Sequence, residues 1–409
     1  MKIIKTSLII LFICSTCWEH NETKNSKNII TKPYPHTIDI YKGFTSPAII
    51  KLSSIADSIK YIILSKDKEV IISDFPWLQM TDSEFYINFR GQIYRFDLSG
   101  KFLNTIGKIG RGPEEYMPGS PFATNPSADR IYVKRNYMHD YITYSNSGKF
   151  IGNISLKKSD NIWEFECFSD SIFMYTFYYI FMVEKSIEDL ILCGLFDIDG
   201  NKIHIIEHPA KNVHSEVNFS RLGISPPSYT FYNYDVVLNH IDTVYEINKD
   251  TIIPGFILNW GKIPHRHSFE ELYYIQAEPS KKVEKTGKFL EISDKAYFGL
   301  KDLDKYFLFE YDKKTGNTRS MLANGEENFG FINDIDGGVK YYPKWTNKAG
   351  NIWIDYDDAF KFKKNHDDDL LSNSIAVYPE RRDKLKSFLK NLEIGDNPVL
   401  KIVYLKKRI

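Results

Sequence analysis

The chain has 409 residues and carries 53 basic and 53 acidic residues, so its formal net charge at pH 7 is zero. This balance gives no electrostatic footprint for nucleic acid or for an anionic membrane surface, and we expect no nucleic-acid partner. Aromatic residues make up 15% of the chain, which favours strands, and the length suffices for one large domain or two ordinary ones.

The N-terminus predicts a lipoprotein-type signal peptide over residues 1–17. A short basic start is followed by an apolar run that is too short to span a bilayer. The small residues between Cys14 and Cys17 resemble a bacterial lipobox, and we expect Cys17 to carry the lipid. Lipidation of Cys14 and ordinary signal-peptide cleavage are the alternatives.

Residues 18–44 predict a flexible tether, because they begin with a polar stretch rich in Asn, Lys and Glu. The sequence therefore predicts an exported, lipid-anchored protein of the cell envelope. We expect contact with the membrane only through this anchor.

A phrase consisting of an aromatic-rich strand, a turn and a second β-branched strand recurs along the chain. Its five copies are Ile93–Leu103, Tyr141–Ile151, Leu195–Ile203, Val244–Ile252 and Phe307–Asn317. The turn positions 100, 148, 200, 250 and 316 differ by 48, 52, 50 and 66 residues, a period typical of propellers when the repeat is made of strands. Each hairpin is expected to form the outer part of one blade.

The repeat predicts an all-β fold, a six-bladed β-propeller over residues 45–378. Its blades are expected at Trp77–Ile106, Phe122–Leu156, Ile162–His208, Tyr229–Asn259, Phe289–Leu322 and Phe331–Phe362. Strand-like runs in residues 45–64 are expected to complete the last blade and so to remove exposed edges.

Two segments depart from the repeat. A short inserted helix at Ser268–Ile275 explains the long interval of 66 residues, since Ser268 is a suitable N-cap. Residues 379–409 predict a helix opened by Pro379 and a strand at Val399–Leu405, both packed on the propeller.

Several motifs resemble a known family. Gly107–Tyr116, with Arg130–Val133 and the turn Ser147–Phe150, looks like one NHL-type propeller repeat. Together with Asp396–Leu400 and the N-terminal signal, these motifs are similar to the six-bladed, TolB-like propeller lipoproteins of Gram-negative gut bacteria. The resemblance implies a propeller on the outer side of a membrane, in a family mostly without an assigned biochemical role. We therefore expect the lipid anchor in the outer membrane, with the propeller in the periplasm or on the cell surface.

Two segments contain candidate binding residues. Arg111 and Tyr116 could face the mouth of the central channel, although the surrounding glycines and Pro113 also fit a tight crossover between blades. His265, Arg266 and His267 could contribute to an anion or metal site, or form a solvated connection.

No metal site or cofactor is expected from local motifs. Along a strand, His204 and His208 would lie about 13 Å apart, too far to share a zinc ion. The segments Asp197–Asn201 and Asn333–Gly338 lack the Glu that completes a calcium loop and predict turns, and Asp367–Asp369 predicts a solvated loop.

Two cysteines remain after the signal, Cys167 and Cys193. They could form a disulfide in an oxidising compartment, or remain buried thiols that behave as small apolar residues.

Two functions agree with these observations. The first is a non-enzymatic binding or scaffold module whose propeller face takes a protein, peptide or glycan partner. The second is a metal-dependent hydrolase or lyase with its site in the central channel. The aromatic pairs of the sequence favour binding.

Overall fold

The computed structural model describes residues 35–65, 70–73, 77–135, 140–155, 162–177, 191–207, 229–232, 235–238, 242–247, 251–264, 283–292, 294–347 and 349–407. Strands dominate this part of the chain and form six separate sheets. None of the helices within it is long and apolar enough to span a membrane.

Each sheet contains four antiparallel strands, and in five of the six sheets these four strands follow one another along the chain. The first three sheets contain β3 (Trp77–Met80), β4 (Glu84–Phe89), β5 (Gln92–Asp97) and β6 (Phe102–Ile106), then β7 (Phe122–Thr124), β8 (Arg130–Lys134), β9 (Asp140–Ser145) and β10 (Phe150–Ser155), then β11 (Ile162–Ser169), β12 (Ile172–Phe177), β13 (Ile191–Asp197) and β14 (Lys202–Glu207).

The remaining sheets also include strands from both ends of the chain. The fourth contains β15 (Tyr229–Tyr232), β16 (Asp235–Leu238), β17 (Thr243–Ile247), β18 (Ile252–Asn259) and the N-terminal β1 (His36–Asp39); the fifth contains β19 (Glu284–Ile292), β20 (Lys295–Asp302), β21 (Lys305–Asp312) and β22 (Asn317–Asn324); the sixth contains β23 (Trp345–Thr346), β24 (Ile352–Asp357), β25 (Val399–Leu405) and the N-terminal β2 (Ala56–Ile63).

The first strands of neighbouring sheets lie against one another, β7 beside β11, β15 beside β19 and β23 beside β3. The sheets are therefore blades around a central axis, and the predicted six-bladed β-propeller is confirmed. The predicted bounds of blades one and four coincide with β3–β6 and β15–β18.

The repeated phrase of the sequence is the hairpin between the third and fourth strands of a blade. In blade one, Asp97 Oδ1 accepts hydrogen bonds from the backbone N–H groups of Ser99 and Lys101 at 2.8 and 3.1 Å. Gly100 follows with φ of 88°, and a Cβ there would lie 2.6 Å from the carbonyl oxygen of Ile63. Only glycine satisfies both the conformation and the close approach.

The apolar core lies between the blades. At the seam of blades one and two, for example, the rings of Tyr116 and Tyr144 pack edge to face, with their centroids 6.0 Å apart. Such aromatic pairs stabilise beyond the area they bury, by roughly 0.5–1.5 kcal/mol each. Aromatic residues thus hold neighbouring blades together.

The N-terminal segment runs past three blades. Strand β1 pairs in parallel with β18 of blade four and is followed by α1 (Ile40–Phe44). Pro47 then bridges Ser320 of blade five, and β2 pairs antiparallel with β25 of blade six. Residues 45–64 therefore complete the last blade, as the sequence predicts.

The sixth blade differs from the expected Phe331–Phe362. Strand β25 pairs with β24 on one side and with β2 on the other, so it is an internal strand of the blade. The sequence analysis placed it in a separate C-terminal segment, because three helices separate β25 from the rest of its blade along the chain.

These helices are α2 (Ala359–Asn365), α3 (Asp368–Asn373) and α4 (Pro379–Asn391). The helix predicted at Pro379 is confirmed, and Leu385 and Leu389 on it are buried. The solvated loop expected at Asp367–Asp369 is wrong: Asp367 caps α3 by accepting a hydrogen bond from Leu370 N at 2.8 Å. The helix predicted at Ser268–Ile275 lies outside the described residues.

Candidate central cavity

A cavity of about 1640 Å³ lies on the axis of the propeller. Residues of β3, β7, β11, β19 and β23 line it, together with the segment 326–347 and helices α2 and α3. Strand β23 has only two residues, so the cavity reaches past it to Asp355 and Asp357 on β24. This short first strand enlarges the channel at blade six.

Two half-buried tryptophans lie on neighbouring first strands in the cavity wall. Trp77 belongs to β3 and packs partly into the core between blades one and two. Trp345 belongs to β23, and its ring stacks on Tyr356 with a centroid distance of 5.7 Å. The wall therefore offers indole surface on both sides of blade one.

A buried group of charges forms the wall at blade six. The Lys401 Nζ atom lies 2.5 Å from Asp355 Oδ2 and 2.7 Å from Asp357 Oδ2. Lys344 Nζ lies 3.4 Å from Asp355 Oδ1, and Lys361 Nζ lies 3.3 Å from Asp357 Oδ1. Each carboxylate is thus shared by one buried and one exposed lysine.

The electrostatics of this group favour the charged forms. Burial alone would lower the pKa of Lys401, but the Asp355 and Asp357 carboxylates raise it above its ordinary value. Burial likewise opposes ionisation of Asp357, yet Lys401 and Lys361 hold its pKa below the usual range. The two carboxylates are therefore held as counter-ions of the lysines.

The segment Asn333–Gly338 borders the same cavity and forms the predicted turn. Asp334 accepts hydrogen bonds from the N–H and hydroxyl of Ser53 at 2.9 and 2.7 Å. Asp336 accepts from the Tyr61 hydroxyl at 2.9 Å and from Gly338 N at 3.0 Å. The two carboxylates stabilise the turn.

His366 lies between α2 and α3 and stabilises the chain next to this turn. Its Nε2 accepts the N–H of Val339 at 3.2 Å, while Nδ1 lies 2.8 Å from the carbonyl oxygen of Phe362. Because Nε2 accepts, the neutral ring carries its proton on Nδ1. Burial lowers the pKa of His366 to about 4, so the ring is neutral at pH 7.

Gln79 connects the first strands of three blades. Its Nε2 donates to the carbonyl oxygen of Phe122 at 3.0 Å and lies 3.3 Å from Glu166 Oε1, while its Oε1 accepts from Thr124 N at 2.8 Å. The amide side chain thereby pairs with hydrogen-bonding groups of the backbone on the inner edge of β7.

Tyr116 does not lie at the channel mouth. It is fully buried between blades one and two, where its hydroxyl donates to the Ile106 carbonyl at 2.7 Å and accepts from Ile93 N at 3.1 Å. Arg111 is exposed and is not part of the cavity wall. The crossover alternative for this segment therefore describes its geometry, and the channel-mouth position is corrected.

The other candidates fall into two groups. His265, Arg266, His267, Cys17 and His208 lie outside the described residues. Cys167 and Cys193 are buried thiols that form no disulfide; they lie on β11 and β13, with β12 between these strands. Burial raises the pKa of Cys193 to about 12, so this thiol remains protonated.

In the described part of the chain, no three His, Cys, Asp or Glu side chains converge in a manner suited to a metal ion. Asp197 Oδ1 accepts from the N–H groups of Asp199 and Asn201 at 3.0 and 2.8 Å, as expected for a turn.

Sequence reasoning missed the charge group at blade six. Lys401 is far from Asp355 and Asp357 along the chain and becomes their neighbour only when β25 pairs with β24. A weak signal was present, because charged residues interrupt the apolar strands Ile352–Asp357 and Val399–Leu405. A charge inside a buried strand requires a partner.

The sequence matches the family described as "Domain of unknown function (DUF4934)" over residues 35–404, and the chain belongs to this family. No curated protein is similar to it at a significant level.

Solved structures resemble the chain over most of its length. A Bacteroides fragilis NCTC 9343 protein, provisionally named an exported protein, is 15% identical, with a TM-score of 0.62 over 91% of this chain and 99% of that one. A DUF4221 member from Bacteroides vulgatus ATCC 8482 is 11% identical, with a TM-score of 0.46 over 86% of this chain and 98% of that one. The first likeness shows the fold alone.

Proposed function

We propose that this DUF4934 propeller is a binding module that takes a ligand, a peptide, a glycan or a protein segment, into its central cavity without transforming it. The observation that carries the proposal is a large cavity whose buried charged groups are already paired with one another. Lys401, together with Lys344 and Lys361, neutralises Asp355 and Asp357, and Ser53 holds Asp334. Such a wall suits recognition, because a catalytic acid or base must be free to exchange a proton.

The proposal is tested by thermal-shift measurements with separate pools of peptides and oligosaccharides. We expect at least one pool to raise the melting temperature, since a ligand that binds only the folded state stabilises it. Thr346→Arg, which fills the cavity at β23, should abolish the rise. Thr315→Arg is the matched control, because Thr315 lies on an exposed turn of blade five.

The alternative of a metal-dependent hydrolase or lyase makes a different prediction. Mass spectrometry of protein purified without chelators should then find a stoichiometric divalent ion, and its removal should abolish turnover of a pooled ester or glycoside substrate. A stoichiometric ion whose removal abolishes turnover would favour the metal-dependent enzyme and contradict the binding module.

We place the protein in the cell envelope, anchored by a lipid on Cys17. The signal-like N-terminus supports export, and the provisional name of the Bacteroides fragilis protein points in the same direction. Metabolic labelling with a radioactive fatty acid tests the anchor. Cys17→Ser should lose the label while Cys14→Ser retains it, and the reverse result would move the anchor to Cys14.

A further inference from the structure

We infer that the ligand of the central cavity is an uncharged oligosaccharide that lies against the indole rings of Trp77 and Trp345. The inference rests on the proposed binding function and names its ligand class. Three features of the wall carry it: the balance of its charges, the state of the β7 edge and its two tryptophans.

The charges of the cavity wall nearly cancel. Among the described residues, seven lysines line it: Lys51, Lys288, Lys340, Lys344, Lys361, Lys364 and Lys401. Eight acidic residues face them: Glu166, Glu326, Glu327, Asp334, Asp355, Asp357, Asp367 and Asp369. A wall with both signs interspersed provides no net field to attract a polyanion or a polycation, so it favours a ligand that is polar and uncharged.

The inner edge of β7 is already used. An extended peptide commonly binds by adding a strand to a free edge. At β7 the Gln79 side chain takes both the Phe122 carbonyl and the Thr124 N–H. Recognition at this edge must therefore come from side chains.

The tryptophans supply the complementary surface. Trp77 and Trp345 lie on β3 and β23, which are neighbours, and both are half-buried in the cavity wall. A sugar ring has an apolar C–H face that fits the flat face of an indole, and hydroxyls around its rim that both donate and accept hydrogen bonds. The cavity volume of about 1640 Å³ exceeds that of common small-molecule pockets and accommodates several sugar units.

The test is isothermal titration calorimetry of the full chain with three sets of six-unit probes. The first contains the neutral oligosaccharides maltohexaose, xylohexaose, cellohexaose and chitohexaose, the second hexagalacturonate and the third uncharged hexapeptides. We expect at least one neutral oligosaccharide to bind with a Kd below about 1 mM. Raising NaCl to about 0.5 M should change this Kd less than about twofold, because an uncharged ligand is not screened.

Variants locate the site. Trp345→Ala and Trp77→Ala should each weaken binding about tenfold or more, and Trp345→Phe and Trp77→Phe should lose less because a flat ring remains. Tyr41→Ala is the matched control, since Tyr41 is 54% exposed and lies away from the cavity. The Phe variants decide the question if an Ala variant does not fold.

Each of the other outcomes contradicts the oligosaccharide inference, the position of its site or the binding function. Binding of hexagalacturonate or of peptides alone overturns the neutral-sugar inference and leaves the binding module intact. An equal loss of affinity in Tyr41→Ala, or no loss of affinity in the tryptophan variants, would show that Trp77 and Trp345 do not form the binding site. If none of the three sets binds, both the inference and the binding function that it rests on are overturned.

Discussion

Lys401 shows what a single residue does in this propeller. The residue is 4% exposed, and its ammonium lies between Asp355 and Asp357 on the adjacent strand. Removing one member of a buried ion group is costly, because the remaining charges lose both water and partner. The stability of blade six therefore depends on this side chain.

We expect Lys401→Met to lower the free energy of unfolding by about 3–5 kcal/mol at pH 7, measured by urea denaturation. The loss should shrink toward pH 4, because protonated carboxyls need no counter-charge. Replacing both carboxylates as well, in Lys401→Met with Asp355→Asn and Asp357→Asn, should recover most of the stability. Lys386→Met on the exposed face of α4 is the control, and an equal loss there would contradict the argument.

His366 predicts a dependence of stability on pH. Its pKa in the folded protein is about 4, below the ordinary value of 6.5 that applies to the unfolded chain. Between these values the unfolded state binds more protons, so stability falls as the pH falls from about 6.5 to about 4. The difference corresponds to about 3 kcal/mol at most.

The measurement compares the unfolding free energy of wild type and His366→Gln at several pH values between 7 and 4. The wild type should lose more stability on acidification than the variant, which has no imidazole to protonate. Asn324→Gln, at an exposed position of β22, changes no titratable group and should keep the wild-type slope. Parallel curves for wild type and His366→Gln would show that the buried ring does not control acid stability.

At the scale of an element, an asparagine turn links adjacent blades. Asn125 and Asn347 directly follow the first strands of blades two and six. The Oδ1 atom of Asn347 accepts from the N–H groups of Asn351 and Ile352 at 3.0 Å each, and its Nδ2 donates to Asp82 of blade one at 3.0 Å. Asn125 makes the same contacts within its own turn and donates to Asp170 of blade three at 2.8 Å.

We expect Asn347→Asp to lower stability by roughly 1–3 kcal/mol at pH 7, because a donor is lost and a second carboxylate is placed beside Asp82. The effect should decrease at pH 4, where carboxyl groups begin to protonate. Asn324→Asp, at an exposed position of β22, is the matched control. Thermal denaturation at both pH values measures the difference, and a loss that does not depend on pH would speak against the Asp82 contact.

The elements were predictable to different degrees. Blade one could be bounded from the sequence, because Asp97-x-x-Gly100 marks its hairpin by local turn chemistry, and blade four could be bounded from the looser copy Val244–Ile252. The Asn turn was missed, although Thr124-Asn125 and Thr346-Asn347 are a shared phrase. Its function depends on an aspartate in the next blade, which no local pattern specifies.

The candidate site was less predictable than the fold. The first strands that form it could be placed on the axis by the repeat, but Trp77 and Trp345 are distant in the sequence and meet the cavity only through ring closure. The segment Gly110–Tyr116 does not form part of the cavity, because Tyr116, although conspicuous in the sequence, holds two blades together in the structure.

At the scale of the whole molecule, closure depends on β2 against β25. Seven residue pairs join these strands, from Ala56 with Leu405 to Ile63 with Val399. Without β2, the internal strand β25 would become the outer edge of blade six, and exposed strand edges promote association.

We expect a chain that begins at residue 65 to be largely aggregated or to melt at a much lower temperature than the full chain. A synthetic peptide of residues 45–64 should restore the melting temperature in a dose-dependent manner, and the same peptide carrying Ile59→Asp should not, because Ile59 is buried. The peptide carrying Lys60→Asp, which changes an exposed position, is the control. A stable, monomeric shortened chain would contradict this account of closure.

The pairing of β2 with β25 also sets an order of events during synthesis. Ile63 and its partner Val399 are separated by 399 − 63 = 336 positions, so the ring cannot close until nearly the whole chain has left the ribosome or the translocation channel. A chain terminated before Val399 would retain five blades and two open edges at the sixth. The last strand of blade six to be made therefore decides when the ring closes.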